Sequence, residues 1–292
     1  MSNKHHNAPR LLIILALIAL YFIWGSTFLA MKFAIESFPP LMMAAIRFCI
    51  AGVLLYSFLR LRGSPNPTSK EWLGATLVGF LLLSIGNAGV AIAEQTVSSG
   101  IAALLISTVP LLAAVFGTFW KHVPTNREWS GILVGTIGVA ILNLGGTLQA
   151  NPIGSAILLF AAACWALGSM WSKYLPMPQG AMASAAQMLT AGVILVIASL
   201  LAGETITQTP SAKSIYAMLY LVLFGSLIAY SAYVFLLKTV RPALATSYAF
   251  VNPVVAFILG MHLSNEHIDR VEYIALTIII VGVLLVLPFT KK

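Results

Sequence analysis

The sequence predicts an all-α polytopic membrane protein, ten transmembrane helices arranged as two inverted five-helix repeats. Three observations carry that prediction. Of 292 residues, 60% are hydrophobic and only 8% charged, against roughly 25% charged in an ordinary soluble domain. So few charges cannot cover a water-facing surface. Apolar runs recur at the length that crosses a bilayer, about 20 residues for a ~30 Å hydrocarbon core at ~1.5 Å of helical rise each. Finally, phrases from the first half return in the second at a nearly constant spacing.

The first run, 11–33, follows the polar stretch MSNKHHNAPR. It is longer than the ~7–15 apolar residues of a signal-peptide core, so it reads as a retained span. The adjacent His5 and His6 read as a solvated tail, not a metal pair. ESFPP then breaks the chain before 41–59, RLRGSPNPTSKE before 72–93, EQTVSS before 99–120 and KHVPTNRE before 129–145. GGTLQANP precedes 152–172, KYLPMPQG 181–202, GETITQTPSAK 214–237, KTVRP 243–263 and SNEHIDR 271–289. Each break is Gly, Pro or polar turn chemistry. The two cysteines, Cys49 and Cys164, lie inside apolar runs and read as packing residues, with no disulfide or metal implied.

The formal net charge of +8 is scattered in ones and twos between apolar runs, which is a topology signal and excludes a nucleic-acid surface. With both termini in the cytoplasm, Lys4, Arg10, Arg60, Arg62, Lys70, Lys121, Arg127, Lys173, Lys238, Arg241, Lys291 and Lys292 lie inside. Lys32, Lys213 and Arg270 lie outside. Twelve against three predicts N-in, C-in.

WGSTFLAMK, from Trp24 to Lys32, returns as WALGSMWSK, from Trp165 to Lys173, shifted by 141. RFCIAG at 47–52 meets QMLTAG at 187–192, shifted by 140; VPLLAAVFG at 109–117 meets NPVVAFILG at 252–260, shifted by 143; EWSGIL meets EYIALT, shifted by 144. The order and near-constant shift predict a duplication, 1–146 and 147–292. Five helices per copy is an odd number, so the second copy enters the membrane upside down. Two inverted halves can exchange conformations and open a midplane site to one side and then the other. That is the physical basis of alternating access in secondary transporters. A channel, which favours pore rings in an oligomer, and an intramembrane enzyme, which needs a nucleophile–base pair or metal set, are the rival readings. No HExxH or acidic cluster is present, no cofactor is implied, and His262 stands alone.

FIWGSTFLAMKF, PPLMMAAIRFCIAG, SSGIAALLISTVPLLAAVFG, ALATSYAFVNPVVAFILG and the following Glu266 resemble the ten-helix, EamA-type exporters of the drug/metabolite transporter superfamily. The resemblance spans nearly the whole chain. It implies a bacterial inner-membrane exporter of a small metabolite, an amino acid or an amphipathic drug-like compound. It also implies a central cavity bounded by helices one, three, four, six, eight and nine. The expected partners are the lipid bilayer and the small-molecule substrate; the protein is a monomer or a homodimer.

Several residues are candidates for that pathway. Arg47 lies about six residues, roughly 10 Å, inside the second span, where an unpaired arginine is costly. It is either an outer gate or substrate anchor with Glu94 as partner, or a structural arginine held by carbonyls. Lys32 and Lys173 are the boundary charges. Trp24 and Trp165 lie too deep for an interfacial belt; with Tyr230, Tyr233 and Tyr248 they either line a cavity or pack tightly. Ser26, Thr27, Ser84, Asn87, Ser107, Gln187 and Asn252 put neutral polar groups at membrane depth, for substrate or for gluing helices. Pro110 and Pro253 free the carbonyls of Ile106 and Ala249 and are expected as hinges. GILVG at 131–135 is a small-xxx-small face. All eight carboxylates lie at or beyond span ends, which argues against a midplane carboxylate relay.

Overall fold

The computed structural model describes residues 10–97, 99–120, 123–144, 151–264 and 270–286. The expectations placed on Lys4, His5, His6, Lys121, Glu266, Asp269, Lys291 and Lys292 lie outside the described residues, as do those on the side chains of His262, Arg270 and Glu272. Among the described residues every regular element is helical. In chain order these are α1 (Arg10–Ile35), α2 (Pro40–Leu61), α3 (Ser69–Ala93), and α4 in two parts, Ser99–Ile106 and Val109–Phe119. Then come α5 (Asn126–Leu144), α6 (Pro152–Trp171), α7 (Ala181–Leu201) and α8 (Ala212–Thr239). Last are α9, in two parts, Pro242–Thr246 and Tyr248–Ser264, and α10 (Arg270–Val286). Seven of them, α1 to α4 and α6 to α8, are long and apolar enough to cross a membrane. The other three occupy the remaining expected runs.

Local chemistry sets the helix ends. Proline occupies the first turn of α2, α6 and α9, where its missing N–H leaves no gap. Thr68 and Glu71 form a reciprocal capping box at the start of α3, and Thr125 and Glu128 make the same exchange before α5. Gly63 and Gly203 take positive φ values of 83° and 69° just after α2 and α7. In both places the next N–H reaches back five residues, Ser64 to Leu59 and Glu204 to Ser199, closing the helix as glycine alone does cheaply. Glu204 then accepts from the N–H groups of Leu41 and Met42 at 3.1 and 2.7 Å, placing a negative charge on the dipole of α2.

Close helix contacts run through glycines. A Cβ on Gly52 of α2 would meet Leu189 N of α7 at 2.7 Å, and one on Gly192 of α7 would meet Cys49 N of α2 at 2.8 Å. Residue numbers rise in one helix as they fall in the other, so α2 and α7 pack antiparallel. The same holds for α5 and α10, where Gly131 approaches Gly282 and Leu285 while Gly138 approaches Ile279. The GILVG face is therefore occupied by α10 of the same chain.

Three helices widen to π geometry in the middle: Leu20–Trp24 in α1, Phe80–Asn87 in α3 and Leu221–Tyr230 in α8. Such turns are rare and cluster at functional sites. Each ends on a residue singled out from the sequence.

Candidate functional site

The deep tryptophans meet. Trp24 and Trp165 cross edge to face with ring centroids 5.4 Å apart, and Tyr248 and Tyr233 lie 4.7 and 5.1 Å from Trp24. Edge-on aromatic contacts at this spacing are favourable beyond area burial by about 0.5–1.5 kcal/mol each. Three of the four polar tips are held by bonds the structure shows. Trp24 Nε1 donates to Gly225 O at 3.1 Å, Trp165 Nε1 donates to Tyr233 Oη at 3.0 Å, and Tyr233 Oη also bonds Ser169 Oγ at 2.6 Å. Two glycines make room: a Cβ on Gly86 would strike the Trp165 ring at 2.8 Å, and one on Gly225 would come within 2.9 Å of the Arg47 guanidinium. The aromatic group is thus a closed layer contributed by α1, α6, α8 and α9.

Against this layer lies a cavity of about 50 Å³, lined by Trp24, Thr27, Asn87, Trp165, Tyr248 and Asn252 together with Phe28, Met31, Gly86, Val90, Ile106 and Ala161. The first six were singled out from the sequence. Gly86 adjoins Asn87, and Ile106 is the residue whose carbonyl Pro110 frees. The other four follow from the helical repeat, since positions 24, 27, 28 and 31 share one face of α1, 87 and 90 one face of α3, and 161 and 165 one face of α6. Starting from each polar or aromatic residue and stepping by three or four would have found them. Asn87 Oδ1 accepts from Arg47, which leaves its amide N–H groups as donors. Asn252 Oδ1 is buried without a hydrogen-bond partner among the described residues, an unsatisfied acceptor on a side chain that lines the space. The cavity offers a donor, an acceptor and aromatic walls, the chemistry of a small amphipathic guest.

Other expected residues lie elsewhere. Ser26 bonds Tyr220 Oη at 2.6 Å and Ile23 O at 2.7 Å. Ser107 donates to Leu104 O, and Tyr230 donates to Gln187 Oε1 behind the aromatic layer. Ser84 reaches Ala191 O. Ser26, Ser84 and Tyr230 glue helices, while Ser107 bonds within its own helix.

Arg47 is 2% exposed and does not pair with Glu94. Its Nε donates to Ser226 Oγ at 2.7 Å and one terminal nitrogen to Asn87 Oδ1 at 3.3 Å. The reason is geometric. Arg47 is in the first half of α2, beside the π turns of α3 and α8, whereas Glu94 lies in the turn beyond α3, seven residues past Asn87 and about 10 Å along the helix. Among the described residues this buried guanidinium has only neutral partners.

Glu94 is itself 6% exposed, and neither carboxylate oxygen has a hydrogen-bond partner among the described residues. Standing at a span end thus did not leave this carboxylate in water. Lys32, by contrast, is exposed. Lys173, at the other end of the molecule, donates to Val240 O at 3.4 Å, and burial together with the nearby Arg241 lowers its pKa to about 8.

The two prolines differ in their setting. α4 is interrupted at Ser107–Thr108, and Pro110 enters the first turn of its second part. Pro253 sits inside an unbroken helix, and α9 is interrupted earlier, at Ser247.

A second cavity, of about 370 Å³, went unnoticed in the sequence. It lies on the Lys173 side of the aromatic layer, lined by Ala113 and Ala114 of α4, Glu128 of α5, Lys173, Lys238, and Arg241 to Ala243 at the start of α9. Both interrupted helices break between the two cavities.

The sequence profile described as the EamA-like transporter family matches residues 11–144 and again residues 152–287. The chain is 48% identical over 272 residues to the "Uncharacterized inner membrane transporter YedA" of Escherichia coli (strain K12), covering 93% of this chain and 89% of that one. It is 26% identical to the "WAT1-related protein At3g02690, chloroplastic" of Arabidopsis thaliana, over 92% of this chain and 68% of the relative. A solved structure titled "Crystal structure of protein" superposes with a TM-score of 0.77 at 19% identity, covering 94% of this chain and 96% of the other; it speaks for the fold alone.

Proposed function

Because the chain belongs to the EamA-like transporter family, we propose that it is a secondary transporter that exports a small metabolite, an amino acid or an amphipathic drug-like compound, across the bacterial inner membrane. The mechanism is alternating access through a central cavity between two inverted five-helix repeats. The observation that carries this reading is the convergence of Trp24, Thr27 and Asn87 from one half, and Trp165, Tyr248 and Asn252 from the other, on a single cavity.

Ten spans and an inverted pair account for several features together. The family profile matches twice, once in each half. The matched pair α2 and α7 pack antiparallel through reciprocal contacts, Gly52 on Leu189 and Gly192 on Cys49, as an in-plane two-fold axis requires. The π turns at 80–87 and 221–230 recur at the same shift.

The aromatic cavity has room for one or two waters, since a water occupies about 30 Å³. It is a shut state, and transport requires the aromatic layer to part. The interruptions at 107–108 and 247 lie where one part of α4 and α9 can tilt against the other, the arrangement of broken helices at transport sites. Cargo polar groups then meet Asn87 and Asn252 while its apolar body lies against Trp24 and Trp165.

Proteoliposomes loaded with unlabelled amino acids or amines and challenged with labelled compound provide the test. A carrier gives saturable uptake stimulated by cargo on the far side, and Trp24→Ala lowers that exchange about tenfold or more, the scale of a lost aromatic anchor. Flux that neither saturates nor responds to cargo across the membrane would point to a pore instead.

A further inference from the structure

The larger cavity collects cations. Arg241 is held bidentately by Glu128, Nε to Oε1 at 2.6 Å and the terminal nitrogen to Oε2 at 2.8 Å. That pair is internally neutral. Lys173 and Lys238 are left with backbone carbonyls as their acceptors, Val240 O at 3.4 Å and Pro178 O at 2.9 Å. A carbonyl satisfies a donor but does not neutralise an ammonium, and Glu71 acts on Lys238 through space from outside the cavity lining. Both ammonium groups thus face about 370 Å³ of space between helix ends with only Glu128, already paired with Arg241, as a lining carboxylate among the described residues. That volume lies in the range of small-molecule sites, roughly 300–1,000 Å³, whereas the aromatic cavity does not.

The two spaces lie in series. Lys173 follows Trp165 by eight residues, about 12 Å, and Lys238 follows Tyr233 by five, about 7.5 Å, so the helices that build the aromatic layer carry the lysines onward. Deeper in, Arg47 supplies a third positive charge without an anionic partner among the described residues, reaching the aromatic cavity through Asn87.

We infer that the cargo is an amphiphile bearing a carboxylate, and that the cavity between Lys173 and Lys238 is the vestibule that captures that carboxylate before the aromatic layer opens to the rest of the molecule. This rests on the carrier reading above. The fork of Arg241, which would match a carboxylate or a phosphate alike, is committed to Glu128, so capture falls to the two ammonium groups, and phosphate is set against carboxylate in the test. The apolar walls, Ala113, Ala114 and Ala243, are available to the apolar body of the guest.

Capture depends on pH in a definite direction. Lys173, with its pKa lowered to about 8, faces Lys238 from α8, Arg241 from α9 and Glu128 from α5, while α4 contributes only alanines. Raising pH through 8 removes its charge and weakens anion binding; a bound anion in turn favours the charged form.

Three probes with one ring and different head groups test this: phenylacetate, phenylacetamide and phenethylamine, with inorganic phosphate as a fourth. The full-length protein in phosphatidylcholine nanodiscs is titrated at fixed ionic strength, with unfolding temperature and tryptophan fluorescence as readouts. Phenylacetate is expected to bind and the amide and amine not to. K173Q and K238Q should each weaken it about tenfold or more, the scale of one charge-assisted hydrogen bond, with K238R restoring it. Affinity should fall between pH 7 and 9.5. Circular dichroism verifies each variant, and K238R against K238Q suffices if K173Q does not fold.

Equal binding of amide and carboxylate, unchanged affinity in both glutamine variants, or tighter binding of phosphate would each overturn the inference. So would loss of phenylacetate binding in phosphatidylglycerol nanodiscs, which assigns the cavity to a lipid head group. Exchange of the amide or amine in proteoliposomes, sensitive to Trp24, without carboxylate binding would sink this inference and leave the carrier standing. Exchange of no probe, even with phenylacetate bound, would count against the carrier itself.

Discussion

A carboxylate removed from water without a hydrogen-bond partner holds its proton. Glu94 is in that position: burial raises its pKa to about 8, and the nearby Ser99 hydroxyl, which makes no hydrogen bond to it, and the charge of Lys32 offset only part of that rise. Folding therefore favours the neutral acid. Its stabilising effect is complete below the unfolded value near 4.5 and is lost as pH climbs through about 8. Wild-type protein should lose a few degrees of unfolding temperature between pH 5 and 9, the shift that about 1 kcal/mol or more produces in a chain of this size; Glu94→Gln should lose much less. Equal pH slopes in the two proteins would mean that water reaches this carboxylate. Were transport driven by a pH gradient, the same variant would be the one to weaken that dependence, contrary to what a carboxylate at a span end suggests. The sequence shows that Glu94 terminates an apolar run, but not that its neighbours close over it. Arg47 is similar: its depth is legible from helical rise, while its partners Ser226 and Asn87 come from elements 179 and 40 residues away.

Helices are the best-read level, because a membrane span has a length fixed by the bilayer and boundaries fixed by glycine, proline and charge. Runs expected at 41–59, 152–172 and 181–202 appear as Pro40–Leu61, Pro152–Trp171 and Ala181–Leu201. Less legible is how a helix deviates from regularity. Pro110 coincides with a break and Pro253 does not, since the freed carbonyl can be answered by neighbouring protein. The π turns carry no composition signal at all. Glycine spacing is readable but ambiguous, since a small-residue face fits a neighbouring helix or a second subunit equally well. The structure gives that face to α10, where a Cβ on Gly282 would fall 2.5 Å from Gly135 N. Gly282→Val should therefore push α5 and α10 apart at a cost of about 1–3 kcal/mol, the overpacking range, and lower the unfolding temperature in detergent. Ile280→Ala, on the 56% exposed flank of the same helix, should change it little. Light scattering should show the same particle mass for both variants. A change of mass with Gly282→Val would move the contact between subunits.

At the scale of the whole molecule the repeated phrases make a claim about direction. If Trp24–Lys32 and Trp165–Lys173 are the same segment in two copies of an odd number of spans, their lysines belong on opposite faces of the membrane. The ends of the molecule are chemically distinct in the manner this requires. Near Lys32, Glu36 pairs with Lys213 at 2.7 Å, both side chains about half exposed, a contact worth little energetically. At the far end of α8 from Lys213, Lys238 joins Lys173 and Arg241 around the basic cavity. Basic excess marks the cytoplasmic side, so the orientation proposed from the charges puts the cavity end in the cytoplasm and the Glu36 end outside. In a chain with Cys49 and Cys164 replaced by alanine, Lys32→Cys should react with a membrane-impermeant maleimide in intact cells. Lys173→Cys should react only in inside-out vesicles, and more slowly, because its side chain is partly buried. Labelling of both positions from one side would remove the inverted pair. The convergence of six side chains on one cavity would then need an explanation other than symmetry, and export by exchange of two mirrored halves would lose its physical basis.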